Sequence, residues 1–177
     1  MRALVVVESM FGNTKEIAGA VADGLGESTG VDLIEVNDAP REVRADTGML
    51  VVGGPTHAFG MSRPATRQDA TTQAGRDPAT DGIGIREWLE RLEPGSHPGL
   101  AASFDTRIVS PRVPGSAARA AQKRLKKFGF RPVMPAESFY VTGTPGPLVD
   151  GELERARGWG DLLALAMQGA QCAPRGN

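Results

Sequence analysis

The sequence is short of the residues from which disulfide, zinc and membrane proteins are built. Its 177 residues include one cysteine, Cys172, and two histidines, His57 and His97. Neither an internal disulfide nor a structural zinc site can be assembled from that set. No apolar run approaches the roughly 18 residues that span a bilayer. No small-residue cleavage site follows Met1-Arg2-Ala3-Leu4 and its valines. The opening therefore reads as a strand rather than a signal peptide, and a cytoplasmic location is expected. The Gly-x-Gly-x-x-Gly and Gly-Lys-Ser/Thr patterns of dinucleotide and triphosphate sites are also missing, as is any internal repeat. What remains is an ordinary globular composition, 40% hydrophobic and 23% charged, which excludes a disordered or collagen-like chain. At this length one domain over 1–177 is expected.

Charge is near balance overall, at −1, but unevenly placed. Residues 1 to 60 carry nine acids against four bases. Thr106 to Ala136 carries no acid and eight bases. Five of them, Arg119, Lys123, Arg124, Lys126 and Lys127, fall on one helical segment, so the stretch reads as a solvated helix face and nucleic acid is not expected as a partner.

The pattern of elements alternates. Leu4-Val5-Val6-Val7 is a continuous β-branched run of the kind buried on both faces of a parallel sheet. Ile17, Ala18, Val21, Ala22 and Leu25 then recur at helical spacing, with Gly24, Gly26 and Gly30 expected to end that helix. Further strands are predicted at Val31 to Val36, at Met49 to Val52 with a stop at Gly53-Gly54-Pro55, at Leu100 to Phe104, and at Phe139 to Val141 behind Pro132 and Pro135. Ser116 is placed to cap a helix ending at Gly129, and a final helix follows Asp150 with Leu153, Ala156, Gly160, Leu163 and Met167 facing inward. Ser62 to Gly84 has Ile83 as its one large aliphatic residue. It is expected as a surface insertion, with a short helix from about Ser62-Arg63-Pro64 to Ala74; after it, Ile85, Trp88, Leu89 and Leu92 predict a short amphipathic helix before Pro94. Five strands alternating with helices predict an α/β fold with a doubly wound parallel sheet, whose ligand sits beyond the carboxyl ends of the strands.

The loop after the first strand, Glu8-Ser9-Met10-Phe11-Gly12-Asn13-Thr14, opens directly into a helix. Unpartnered amides at a helix start, with the hydroxyls of Ser9 and Thr14 and the close approach that Gly12 allows, describe a phosphate site. The same residues also read as a plain helix cap by Ser9 or Asn13. Two other patterns are rejected. Gly26-Glu27-Ser28-Thr29-Gly30 has the Gly-x-Ser-x-Gly form of a nucleophile elbow but follows a helix instead of a strand. A response-regulator receiver needs a phosphorylatable Asp after the third strand, where Gly53-Gly54 stands.

Ser9 to Thr14 resembles the phosphate loop of flavodoxins, hydroxyl residues around Gly-Asn-Thr after the first strand, and Gly54-Pro55-Thr56-His57-Ala58-Phe59-Gly60 is similar to that family's first flavin-contacting loop. The resemblance implies a flavodoxin-like sheet of five strands in the order 2-1-3-4-5 that binds FMN non-covalently. It implies that Ser9, Met10, Phe11, Gly12, Asn13 and Thr14 hold the phosphate. Pro55, Thr56, His57, Ala58, Phe59 and Gly60 would then border the ring, with Gly60 or Ala58 supplying a backbone group to the flavin N5. Asp105, Thr106, Arg107 and Gly115, with Ser110, would meet the pyrimidine edge from a second loop, where Arg107 or Arg112 would stabilise a reduced, anionic ring. Phe11 stands where flavodoxins usually have Thr or Ser, and Met10-Phe11-Gly12 is closer to the flavodoxin-like quinone reductases. The second loop contains no Tyr or Trp to stack on the ring. The function implied is electron transfer between a reductase and an acceptor protein. The alternatives are an NAD(P)H-dependent quinone reductase and a non-redox binding module of the same fold.

Overall fold

A computed structural model describes residues 2–26, 29–57, 59–73, 82–93, 95, 99–111 and 114–172. Strand β1 (Arg2–Val7) is followed by helix α1 (Asn13–Gly26) and strands β2 (Gly30–Glu35), β3 (Thr47–His57) and β4 (Gly60–Met61). Next come α2 (Pro64–Gln73), α3 (Ile85–Glu90), β5 (Leu100–Ile108), α4 (Ala117–Lys127), β6 (Arg131–Pro132), β7 (Glu137–Val141) and α5 (Glu152–Cys172).

The sheet runs β2-β1-β3-β5, and both β6 and β7 pair in parallel with β5 along its outer edge. β6 meets Leu100 and Ala101, and β7 meets Phe104 to Ile108. Together they fill the fifth position of the expected 2-1-3-4-5 order. The proline-bearing stretch between them explains the division, because proline donates nothing to a ladder. β4 is a short antiparallel addition to β3.

Two strands run further than predicted. β3 continues through Gly53-Gly54-Pro55 to His57. Its register with β1 ends at Val7 opposite Gly53, and from there β3 has only β5 beside it as far as Pro55 opposite Thr106. Proline is tolerated there because that side of the strand has no neighbour to bond. Gly53 has its own reason to be small, since a Cβ there would overlap the Phe104 ring. β5 likewise extends to Ile108, so Asp105, Thr106 and Arg107 are strand residues and not part of a loop.

The continuous Val run is buried on both faces, as its composition required: Val5 and Val7 pack under α1 and α5, while Leu4 and Val6 pack under α3 and α4. On the first face Phe104, Phe139 and Trp159 form a triangle of edge-to-face contacts at 6.0–6.1 Å, each worth about 1 kcal/mol beyond the area it buries. α1 runs through Gly24 to Gly26, and Gly24 is a packing residue. A Cβ at Gly24 would strike the Arg157 carbonyl, and one at Gly160 would strike the Val21 carbonyl. The two glycines let α1 and α5 touch backbone to backbone. Within α5, Ala156, Leu163 and Met167 face inward as expected, Trp159 joins them, and Leu153 is 44% exposed.

The segment from Ser62 to Gly84 is more than a surface excursion where it is described. α2 begins at Pro64 as read, but Ser62, Arg67, Ala70 and Thr71 are buried. Ser62 does not cap the helix; its hydroxyl donates to Glu8. Residues 74–81 lie outside the described residues, as do Glu27 and Ser28 of the rejected elbow pattern. Ser116 caps α4 as predicted, accepting from the Arg119 amide at 3.1 Å.

Candidate functional site

The carboxyl ends of β1 and β3 part company where the chain of one turns into α1 and the chain of the other into the β4 hairpin. This is the switch point of the sheet, and a cavity of about 250 Å³ opens there. Met10, Phe11, Asn13 and Thr14 line it from the first loop, Pro55, Thr56 and His57 from β3, and Thr106, Arg107 and Ile108 from β5. Val141 and Thr144 close the far wall. The last two and Ile108 carried no motif. The only sequence signal for them is that β5 and β7 had to end at the same level as β3.

The first loop is built as a helix start. Gly12 is left-handed, at φ +92, and the first helical bond runs from Glu16 N–H to the Gly12 carbonyl. The Ser9 hydroxyl accepts from the Lys15 amide at 3.2 Å, so Ser9 does cap the helix. The amides of Asn13 and Thr14, ahead of that bond, have no partner inside the helix. The Thr14 hydroxyl is buried and shares a hydrogen bond of 2.7 Å with the Thr106 hydroxyl, bridging α1 to β5 across the cavity floor. The Asn13 side-chain amide donates to the Pro145 carbonyl at 3.2 Å and so ties the loop after β7 to the helix start.

On the opposite wall the controlling residue is Asp105. It is fully buried and does not line the cavity. One of its oxygens, Oδ2, accepts from the Thr56 hydroxyl at 2.9 Å, the Ser116 hydroxyl at 2.5 Å and the Ala118 amide at 3.0 Å. The Thr56 hydroxyl in turn accepts from the Ala117 amide at 2.9 Å. Thus Asp105 welds the end of β3 to the start of α4 and holds Thr56 and His57 in the cavity wall. Gly115 backs the hairpin: it is left-handed, at φ +93, and a Cβ there would overlap the Phe59 carbonyl. Phe59 itself has φ 78, unusual for a residue with a side chain, and is 64% exposed at the hairpin tip, outside the cavity. Gly60 pairs with His57 at the turn. Ala58 and Arg112 lie outside the described residues.

The electrostatics have a feature that no motif announced. Glu8, at the end of β1, is buried, accepting from Ser62 Oγ and from the Ile85 amide at 2.8 Å. Burial pushes its carboxyl above the ordinary range, against the opposing pull of those donors and of the Arg67 guanidinium. Arg67 donates to Ser62 at 2.9 Å and pairs with Glu87 at 3.0 Å, both side chains well shielded. His57 stands between this cluster and the cavity. Burial, then the nearby Arg67 charge, lowers its pKa, so the ring is neutral at neutral pH. A smaller polar cleft of about 200 Å³ lies on the other side of Met10 and Phe11, over Glu8, Glu35 and Asn37. Among the described residues no group of three metal-ligating side chains occurs, and no helix is long and apolar enough to cross a membrane.

No protein-family model matches the sequence, and no curated protein matches it. Solved structures do match its shape. A flavodoxin from the domain Archaea is similar with a TM-score of 0.65 at 18% identity, covering 95% of this chain and 99% of the other. Oxidised flavodoxin 1 from Bacillus cereus is similar at 0.64 and 17%, with 96% and 98% covered. Rubredoxin oxygen:oxidoreductase from Desulfovibrio gigas is similar at 0.65 and 19%, with 97% of this chain matching 37% of that larger one. Strand order, the cavity at the switch point and these likenesses agree, and the chain has the flavodoxin-like fold.

Proposed function

We propose that the chain binds FMN and passes electrons between protein partners. The observation that carries this reading is the meeting, at one switch point, of a helix start preceded by a left-handed glycine with a mainly apolar cavity that has polar groups in its wall. The donor set fits the group. The unpartnered amides of Asn13 and Thr14 and the positive end of α1 suit a phosphate, with Ser9, Met10, Phe11 and Gly12 shaping the loop around it. Met10, Phe11, Pro55 and Ile108 offer apolar surface to a flat ring, while Thr56 and Thr106 offer polar groups to its edge.

FMN, when bound, supplies reversible one- and two-electron chemistry. The chain supplies the rest. Arg107 places positive charge at the cavity wall, where it would stabilise negative charge on a reduced ring. His57 offers a ring nitrogen without adding charge. Asp105, Gly115 and the Phe59-Gly60 turn set the position of the β3 hairpin that borders the ring.

The test is reconstitution of the apoprotein with FMN, followed by flavin fluorescence and visible absorption. Saturable binding that Thr14→Glu abolishes supports the reading, because that carboxylate would face the phosphate. Failure to bind at high micromolar FMN overturns it in favour of a non-redox module, and unchanged affinity in Thr14→Glu puts the phosphate elsewhere. Stopped-flow reduction then separates carrier from enzyme. Multiple fast turnovers with NADPH and quinone by the purified protein alone would replace the carrier by a quinone reductase.

A further inference from the structure

The mouth of the cavity has a neighbour that the fold alone does not explain. α4 starts at the cavity wall, through the Ala117–Thr56 bond, and packs along the β4 hairpin that carries Phe59. On its outer side Arg119, Lys123, Lys126 and Lys127 are all exposed. Their spacing of four, seven and eight residues puts them in one stripe about 12 Å long that begins one turn from the mouth. Among the described residues none of the four is ion-paired, whereas Arg124, between them, meets Glu90 at 3.3 Å. Their cationic neighbours are Arg107 at the mouth and Arg131 beyond the helix, and no acid occurs between Thr106 and Ala136. At the top of the stripe, Phe59 is 64% exposed. Phe59 is held outward by a left-handed backbone against which Gly115 is fitted.

We infer that this face, Phe59 with the Arg119–Lys127 stripe behind it, docks a protein partner with an acidic surface. Charge complementarity names the sign of the partner. An apolar centre with cations set to one side is the make-up of a transient protein interface, in which charge steers encounter and a few apolar groups seat it. A nucleic-acid duplex offers a phosphate backbone and no apolar surface to seat on such a centre. That the partner exchanges electrons rests on the function proposed above. The docking itself does not.

The experiment is therefore run on the apoprotein. The probes are a small acidic iron–sulfur protein, a basic c-type cytochrome and a 20-base-pair DNA duplex, each titrated at several ionic strengths while backbone amide shifts are followed by NMR. The acidic probe is expected to bind and to shift residues of α4 and the Phe59 turn. Its association rate should fall about tenfold or more in Arg119→Gln/Lys123→Gln/Lys126→Gln/Lys127→Gln at low salt. Its rate should hold in Arg2→Gln/Arg41→Gln/Arg44→Gln, which removes cations elsewhere. Absence of salt-sensitive association with the acidic probe, equal loss in both variants, shifts confined to another face, or preference for the cytochrome or the duplex would each overturn the inference. FMN affinity measured on the α4 variant keeps the two readings apart: it should match wild type, and a docking failure beside intact FMN binding would sink only the interface.

Discussion

Two buried carboxylates stand on either side of the cavity, Glu8 at the end of β1 and Asp105 near the end of β5, and their difference shows how the site is held. Asp105 collects three donors on a single oxygen, two of them at the start of α4. Those donors come from β3 and from the first turn of α4, so one carboxylate ties the two elements together. Glu8 has two donors, one per oxygen, and a guanidinium whose charge is already engaged by Glu87. Its burial wins over those contacts, and the neutral form gains. Asp105 therefore acts as a strut between β3 and α4, while Glu8 joins β1 to α2 and α3 through a carboxyl whose pKa burial has raised.

Removing the strut should have the largest effect. Asp105→Ala strands Thr56, Ser116 and the Ala118 amide, and should destabilise the protein by about 3 kcal/mol, measured by urea denaturation. Glu8→Ala leaves the Ile85 amide and Ser62 without their acceptor and should cost about 2 kcal/mol in the same assay. Equal losses in the two variants would erase the contrast between them.

Glu8→Gln sharpens the contrast through pH. A raised native pKa means that the folded chain holds the Glu8 proton more tightly than the unfolded one. Stability is then highest in acid and is lost as pH rises from the ordinary carboxylate range through the raised value. Wild type should lose stability relative to Glu8→Gln over that rise, and a pH-independent difference would show that burial does not govern the group. His57→Asn tests the opposite sign. A lowered histidine pKa contributes stability that is complete above about pH 6.5 and is lost as pH falls toward the native value. The variant should flatten that acid slope. The smallest effect belongs to the surface: Arg124→Ala breaks the half-exposed pair with Glu90 and should cost no more than about 0.5 kcal/mol.

The elements were legible because their signals are local. A run such as Leu4 to Val7 can be buried only in a sheet covered on both sides, the Ile17–Leu25 stripe has one period, and Ser116 caps the helix it precedes. Gly12 could be read as a close-approach residue in a loop that opens a helix. Gly53 and Gly24 could not be read correctly, because the Phe104 ring and the α5 backbone that they make room for come from 51 and more than 130 residues away in the chain.

The sequence by itself determined the alternation of strands and helices, and with it the sheet and the end of the sheet where a ligand belongs, since hydrophobic period and turn chemistry act between near neighbours. Only the tertiary structure decided which hydroxyls are spent. Thr14 meets Thr106, Ser62 meets Glu8, and Thr56 and Ser116 meet Asp105, all across strands or helices brought together by folding. It also decided that Phe59, read as a ring contact, stands exposed at the hairpin tip beside α4. Hydrogen bonds and burial depend on what lies across a gap of a few ångströms, and that neighbour is set by the packing of the whole chain.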